Sequence, residues 1–316
     1  IKNDGKDAFP TIAAAAAVNL YVDDADCGSN AIDDVGAYMA NAQKSRIKVS
    51  SADNYVSIIG RSYPGSFEFI GTDAGIVAVN EVDVATYVRY VLPSEMPSTF
   101  DAEALKAQAV CARTFVYSQM KNTQYALYGA NIDNTTAFQV YNASETKQST
   151  DEAVKATAGQ VVSCRGSLIT CYYFSTSAGK TEDMEVWSSS TPDFIHKVES
   201  VDDNSPYYRW TSELDLSAYN DPQYGTATGI SVDKTSDAGY VLSLTINYGN
   251  KSQTFTAEND IRKALGHYQK KVTLNDGSVR ENMSMIPSAC FSVSAGANGH
   301  YTLSGGGFGH GIGFSQ

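Results

Sequence analysis

Residues 82–120 read VDVATYVRYVLPSEMPSTFDAEALKAQAVCARTFVYSQM, and the periodicities in this stretch decide the kind of fold the chain adopts. Val84, Tyr87, Val88 and Val91 recur at the three- and four-residue spacing of one helical face, which predicts a helix from Val82 to Leu92. Pro93 lacks an N–H and biases the residue before it away from helix. The helix is therefore expected to stop there, leaving Pro93-Ser-Glu-Met-Pro97 as a five-residue loop clamped by prolines. A second helix is predicted from about Asp101 to Met120, with Leu105, Ala109, Ala112 and Val116 on its apolar stripe. Ser98 stands three residues before Asp101, the spacing of a capping box, and Asp101 and Glu103 bring negative charge to the positive end of the helix dipole.

Upstream, Arg46-Ile-Lys-Val49, Tyr55-Val-Ser-Ile-Ile59 and Ser66-Phe-Glu-Phe-Ile70 alternate apolar and polar residues between glycine and proline turns, the pattern of antiparallel strands. Downstream, a helix is expected from Asp151 to Ala158, with Ser149 and Glu152 as its capping pair and Gly159 as its terminator. A β-hairpin is then expected over Gln160 to Phe174. Strand-like Tyr240–Asn247 and helical Ala257–Leu265 mark a separate lobe, from which Phe291-Ser-Val293 brings the chain back. The fold class is therefore α+β, a mixed, mostly antiparallel sheet core with packed helices and a smaller inserted α+β lobe. The expected organisation is an N-terminal extension (1–44), a core (45–200 with 291–316) and the inserted lobe (201–290).

The chain has 316 residues, 18% of them charged, with a formal charge of −12. Twenty-three Lys and Arg against 35 Asp and Glu exclude a nucleic-acid partner, because phosphate neutralisation needs clustered cations. Twenty tyrosines and twelve phenylalanines suit an aromatic-lined surface of the kind that binds sugars. No apolar run reaches membrane-spanning length. The run Ile12–Leu20 is too short and is expected to be a short buried element. A start at Ile1 fits a trimmed product whose export signal or anchor lies upstream. The five cysteines include no Cys-x-x-Cys pair and give no metal or redox signal. Arg165-Gly166 reads as a two-residue hairpin turn that sets Cys164 opposite Ser167, which argues against a Cys164–Cys171 disulfide. Cys111 reads as a small buried hydrophobe.

Glu95 is the first candidate for chemistry. Apolar Leu92, Met96 and Phe100 flank it, and an apolar surround disfavours a carboxylate, which suits a general acid at neutral pH. The bland alternative is a surface glutamate in an ordinary loop. The tail Ser304–Gln316 sets six glycines around His310, exposing N–H donors beside a group able to donate or shuttle a proton. Its alternative is a flexible linker. It is not a phosphate loop, because no Lys-Ser/Thr and no βαβ unit follow. Ser175, Ser177 and Lys180 offer hydroxyls and a cation to sugar hydroxyls, though such a loop is also common structure. Gln108 and Arg113, polar residues amid helical alanines, point either into a cleft or into water.

Leu92-Pro-Ser-Glu-Met-Pro97, followed by Glu103-Ala-Leu-Lys-Ala-Gln-Ala-Val-Cys-Ala-Arg-Thr114, resembles the stage II sporulation protein D family, also called the amidase-enhancer family. The likeness runs on through Phe138-Gln-Val-Tyr141, Tyr173–Glu182, Val186-Trp187 and Gly307–Gln316, covering about residue 45 to the end. The resemblance implies a lytic transglycosylase outside the cytoplasm, acting on peptidoglycan glycan strands already stripped of stem peptides. Its partners would be those strands and a cell-wall amidase, and Glu95 falls on the family's catalytic glutamate. Ser94, Gln108, Arg113, Ser175, Ser177, Lys180, His310 and Gln316 are then expected to contact substrate. A separate hypothesis has Arg113 or Lys180 pairing the lactyl carboxylate freed by peptide removal, with a purely structural anchor as the alternative for Arg113. Clostridial members carry a Cys-x-x-x-His-Cys run before Gln-Val-Tyr that looks zinc-binding. This chain has Asp133-Asn-Thr-Thr-Ala-Phe138 there, so no such zinc and no cofactor are expected. The family also continues past Ser-Gln, so further chain is expected after Gln316. Two rivals stand beside this reading: a muramidase with a second carboxylate from Glu182, Asp183 or Glu185, and a non-catalytic glycan-binding or amidase-enhancing module.

Overall fold

The computed structural model describes residues 46–58, 61–73, 75–135, 137–142 and 146–316, together with the backbone of 2–3, 20–21 and 31–32. The Ile12–Leu20 run and most of the expected N-terminal extension lie outside the described residues. The fold is α+β, with mixed but mostly antiparallel sheets. The chain divides into two compact units, Ile1–Cys171 and Tyr172–Gln316. Among the described residues no helix is long and apolar enough to cross a membrane.

In the first unit, β1 (Arg46–Val49), β4 (Ser66–Thr72) and β5 (Gly75–Glu81) form an antiparallel sheet, and Lys2–Asn3 pairs with the free side of β5. β2 (Tyr55–Ile58) and β3 (Arg61–Pro64) make a hairpin. Alternation does what was expected: Ile47 and Val49 on β1, and Val56 and Ile58 on β2, are buried while their neighbours face water. Helix α1 spans Val84–Glu95, capped by the Asp83 carboxylate accepting the Thr86 N–H at 2.9 Å. Pro93 does not end it. A proline removes only one N–H, and the next turn still closes through the Met96 N–H on the Leu92 carbonyl at 3.0 Å. Glu95 is thus the last helical residue and not the centre of a free loop.

Helix α2 spans Ala102–Ser118 with Asp101 at its N-cap, and the predicted stripe Leu105, Ala109, Ala112 and Val116 is buried. The Ser98 capping box is absent, because Pro97–Phe100 is a turn closed by the Phe100 N–H on the Pro97 carbonyl at 3.0 Å. The Ser98 carbonyl is taken instead by the Ser149 hydroxyl at 2.7 Å. That same bond removes Ser149 from capping: α3 runs Gln148–Ala156 with Lys147 at its N-cap, three residues earlier than expected. Arg89 on α1 grips Asp151 on α3 with two bonds of 3.0 and 2.7 Å. The pair is part-exposed, so it contributes on the order of 1 kcal/mol or less. The hairpin β6 (Ser163–Cys164) and β7 (Ser167–Leu168) has the expected register, Cys164 opposite Ser167. Arg165 and Gly166 both take positive φ, 52° and 79°, as its two-residue turn.

In the second unit, β8 (Tyr173–Phe174) does not continue that hairpin. It pairs in parallel with β19 (Phe314–Ser315) at the chain's end. β9 (Gly179–Lys180) pairs with β10 (Glu199–Ser200). A five-stranded antiparallel sheet runs in the order β16 (Val279–Glu281), β15 (Gln269–Leu274), β11 (Trp210–Asp215), β18 (His300–Gly305), β17 (Phe291–Ala295). β12 (Gly229–Thr235), β13 (Val241–Asn247) and β14 (Ser252–Phe255) form a second sheet, with α4 (Glu258–Gly266) packed on β13. Trp210, Leu244, Ile261, Leu265, Val272 and Leu303 meet in one core. The expected boundaries at 200 and 291 therefore do not hold. β11 hydrogen-bonds along its whole length to β18, so residues 201–290 share a sheet with 291–305 and cannot be a lobe apart.

Candidate functional site

Glu95 is half-buried at the end of α1, beside the fully buried Met96. Its Oε1 accepts the Val140 backbone N–H at 2.5 Å. The residues on either side of Val140 fix that donor. Gln139 is fully buried; its Oε1 accepts the Tyr87 hydroxyl at 3.1 Å and its Nε2 donates to the Ala112 carbonyl at 3.3 Å. Tyr141 stacks on Tyr87 with centroids 5.3 Å apart and donates to Asn80 Oδ1 at 2.9 Å. Both helices and β5 thus anchor Phe138-Gln-Val-Tyr141 so that one N–H meets the carboxylate. The Tyr87 phenol is pushed well up by burial, with a further rise from the Glu95 charge. Sequence reasoning singled out Glu95 but gave Val140, Gln139 and Tyr87 no role in holding it; a backbone donor 45 residues away leaves no mark on side-chain pattern.

Three other candidates belong to the same unit. Ser94 donates to the Tyr90 carbonyl one turn back at 3.1 Å. Gln108 is fully buried on α2, with neither amide atom meeting a hydrogen-bond partner among the described residues. Arg113 is buried and donates to the Gln160 carbonyl at 3.1 Å and the Val154 carbonyl at 3.2 Å, with Thr157 Oγ1 at 3.4 Å. This is the geometry of an anchor that ties α2 to α3 and to the chain beyond it. Desolvation holds its guanidinium below the ordinary arginine range.

Ser175, Ser177, Lys180, His310 and Gln316 gather in the second unit along the tail. The tail is not a flexible linker. Phe308 and Thr176 exchange backbone bonds at 2.8 and 3.1 Å, the Glu182 N–H reaches the Gly311 carbonyl at 2.7 Å, and the Gln316 N–H reaches the Phe174 carbonyl at 3.0 Å. Glycine is required in it: at Gly311 φ is +84° and a Cβ would run into the Tyr240 ring, and at Gly313 φ is +83° and a Cβ would meet the Tyr172 carbonyl. His310 packs against Trp187 and Phe174, with ring centroids 5.0 and 5.6 Å away, and its Nδ1 accepts the Ile312 N–H at 3.0 Å. Burial first, then the Arg262 charge, lower its pKa to about 4, against a hydrogen bond with the Tyr173 backbone that raises it. The ring is therefore neutral at pH 7, with its proton on Nε2. Ser175 is exposed. Ser177 is buried; its N–H donates to Asp202 Oδ2 at 2.5 Å and its hydroxyl accepts the Gly179 N–H at 3.1 Å. Asp202, which sequence reasoning passed over, also accepts the Ser315 hydroxyl at 2.5 Å. Lys180 pairs with Asp237 at 3.1 Å.

The carboxylates considered for a second catalytic role are gathered around one ammonium. Lys197 Nζ lies 2.6 Å from the fully buried Glu182, 2.7 Å from Asp237 and 3.8 Å from Asp183, and also contacts Glu185. Ser236 donates to the other Glu182 oxygen. Glu182, Glu185 and Asp237 have the spacing of a cation site, and Lys197 supplies the positive charge there. Burial works against the charged lysine, but hydrogen bonds to Asp237, Glu182 and Glu185, with the Glu182 charge, push it well above the ordinary range.

The family described as Stage II sporulation protein matches residues 72–163, the segment that carries Glu95, Val140 and Arg113. The chain is 31% identical over 255 residues to stage II sporulation protein D of Bacillus subtilis, covering 76% of this chain and 68% of that one. It is 30% identical over 305 residues to the amidase enhancer of the same organism, covering 84% of this chain but 42% of the relative's length. It is also 30% identical over 288 residues to an uncharacterised protein of Brachyspira hyodysenteriae, covering 90% and 72%.

Proposed function

Because the chain belongs to the stage II sporulation protein D family, we propose that it is a lytic transglycosylase that cleaves peptide-stripped peptidoglycan glycan strands outside the cytoplasm, in remodelling of the cell wall. The observation that carries this reading is the Glu95 carboxylate, half-buried at the end of α1 and oriented by the Val140 N–H. In its protonated form Glu95 gives its proton to the oxygen between muramic acid and the next sugar. The resulting carboxylate then takes the proton of the muramic acid's primary hydroxyl, which closes on the anomeric carbon and leaves an anhydro end. One carboxyl group serves both steps, so the second carboxylate of ordinary glycoside hydrolases is not needed. The state of Glu182 favours this over the hydrolytic rival, because that carboxylate is fully buried against Lys197.

The neutral His310 and the tail lend themselves to holding a sugar, with Ser175 as the exposed hydroxyl among the candidates. A second reading, an amidase-enhancing or glycan-binding module, is kept by the similarity to the protein named amidase enhancer. Amidase-stripped sacculi incubated with the protein and with Glu95→Gln distinguish the readings. The expected products carry anhydromuramic ends by mass spectrometry, and the variant loses about 10²- to 10⁴-fold in rate. Products one water heavier point to a hydrolase, and equal release by both proteins removes Glu95 from the chemistry.

A further inference from the structure

Cys111 lies on α2 one turn before Thr114, so the two side chains share a helix face. The hairpin β6–β7 is lashed to that region: the Thr114 hydroxyl accepts the Val162 N–H at 2.9 Å, and Arg113 holds the Gln160 carbonyl at 3.1 Å. The hairpin's antiparallel register, Ser167 opposite Cys164 and Leu168 opposite Ser163, continues with the Ile169 N–H on the Val162 carbonyl at 3.5 Å. The returning strand is thus carried back toward Gln160 and α2, and Cys171 arrives two residues later. There its thiol meets the Cys111 thiol in hydrogen-bonding reach, with Thr114 as a second partner. Cys171 is buried, Cys111 is half-buried, and both are free thiols. Cys164, the nearer cysteine in sequence, lies opposite Ser167 in the hairpin register, four residues along the returning strand from Cys171.

We propose that Cys111 and Cys171 form a covalent cross-linking site, at which a small-molecule disulfide oxidises the pair and staples α2 to the chain leaving the hairpin. In the reaction one protein thiolate attacks a sulfur of the donor, forming a mixed disulfide and expelling one thiol. The other protein thiolate then attacks the protein sulfur of that mixed disulfide, forming the Cys111–Cys171 bond and expelling the second thiol. Two protein thiols are oxidised and the donor disulfide is reduced to two thiols. The closed loop contains Gln139–Tyr141, the segment that aims the Val140 N–H at Glu95, so the staple restricts the unfolded excursions of that segment. The site does not depend on what Glu95 does.

The test is peptide mapping of the whole chain after incubation with oxidised glutathione, denaturation and thiol alkylation. The expected result is a cross-linked tryptic pair, Ala107–Arg113 joined to Gly166–Lys180, reversed by reductant, with three of the five cysteines alkylated. The oxidised protein is expected to melt several degrees higher than the reduced one, and Cys171→Ala abolishes that rise. Alkylation of all five cysteines after the disulfide treatment, or a bond from Cys171 to Cys164, overturns the proposal. The wild-type map decides the matter even where the variant folds poorly.

Discussion

His310 is held neutral by its surroundings, and that makes stability of the second unit depend on pH in a calculable way. Its pKa falls from an unfolded value of about 6.5 to about 4 because packing desolvates the half-buried ring and the charge of Arg262 acts on it. A depressed value means that the unfolded chain binds the proton first. The stabilisation is therefore complete above pH 6.5 and is lost as pH falls through 4. The full shift of about 2.5 units corresponds to roughly 3 kcal/mol, of which about 2 kcal/mol is lost between pH 7 and pH 5. Urea unfolding followed by tryptophan fluorescence reads this unit, since both tryptophans, Trp187 and Trp210, lie in it and Trp187 packs on the ring. His310→Asn keeps an acceptor for the Ile312 N–H and removes the titration. The wild type is expected to lose about 2 kcal/mol more than the variant over that interval. Equal losses would show that the folded protein tolerates a charged imidazole and that the tail does not hold His310 neutral.

Lys197→Met leaves Glu182 buried without its ammonium and is expected to cost roughly 3–5 kcal/mol, read as a fall in the fluorescence-detected midpoint; a change below about 1 kcal/mol would mean that water replaces the lysine. Gly311→Ala forces a side chain into a left-handed position against the Tyr240 ring, for a combined cost of roughly 2–5 kcal/mol in the same assay. Arg113→Met strips the Val154 and Gln160 carbonyls of their donor and is expected to cost about 1–3 kcal/mol of stability. It should also slow cleavage of stripped and intact wall equally. A loss confined to stripped wall would instead assign Arg113 to the lactyl carboxylate. Arg113→Lys, a point charge with no fork to reach both carbonyls, should not restore the melting temperature.

Periodicity placed the helices around residues 84–95 and 102–118 and the strands at Arg46–Val49, Tyr55–Ile58 and Ser66–Ile70, and the Arg165-Gly166 turn placed the Cys164–Ser167 register, because each follows from local repeat and turn chemistry. The local capping signals misled. Ser98 and Ser149 each sit at a capping spacing, yet they bond to one another across 51 residues, and Pro93 is carried inside α1 because the bonds around it survive. The lobe boundary was also invisible in sequence. Pairing of β11 with β18 joins residues about 90 apart, and no composition change announces it.

What the sequence by itself determined was the fold class, the family through its Ser-Glu-Met-Pro motif and alanine-rich helix, and Glu95 as the residue to watch. Only the tertiary structure decided how that carboxylate is held, that the glycine tail is hydrogen-bonded along Tyr172–Glu182, and that Lys197 occupies the midst of the acidic cluster. The reason is physical: repeat and turn preference act between neighbours in the chain, whereas a backbone donor, a close approach or a counter-ion is brought by whichever distant segment packs there.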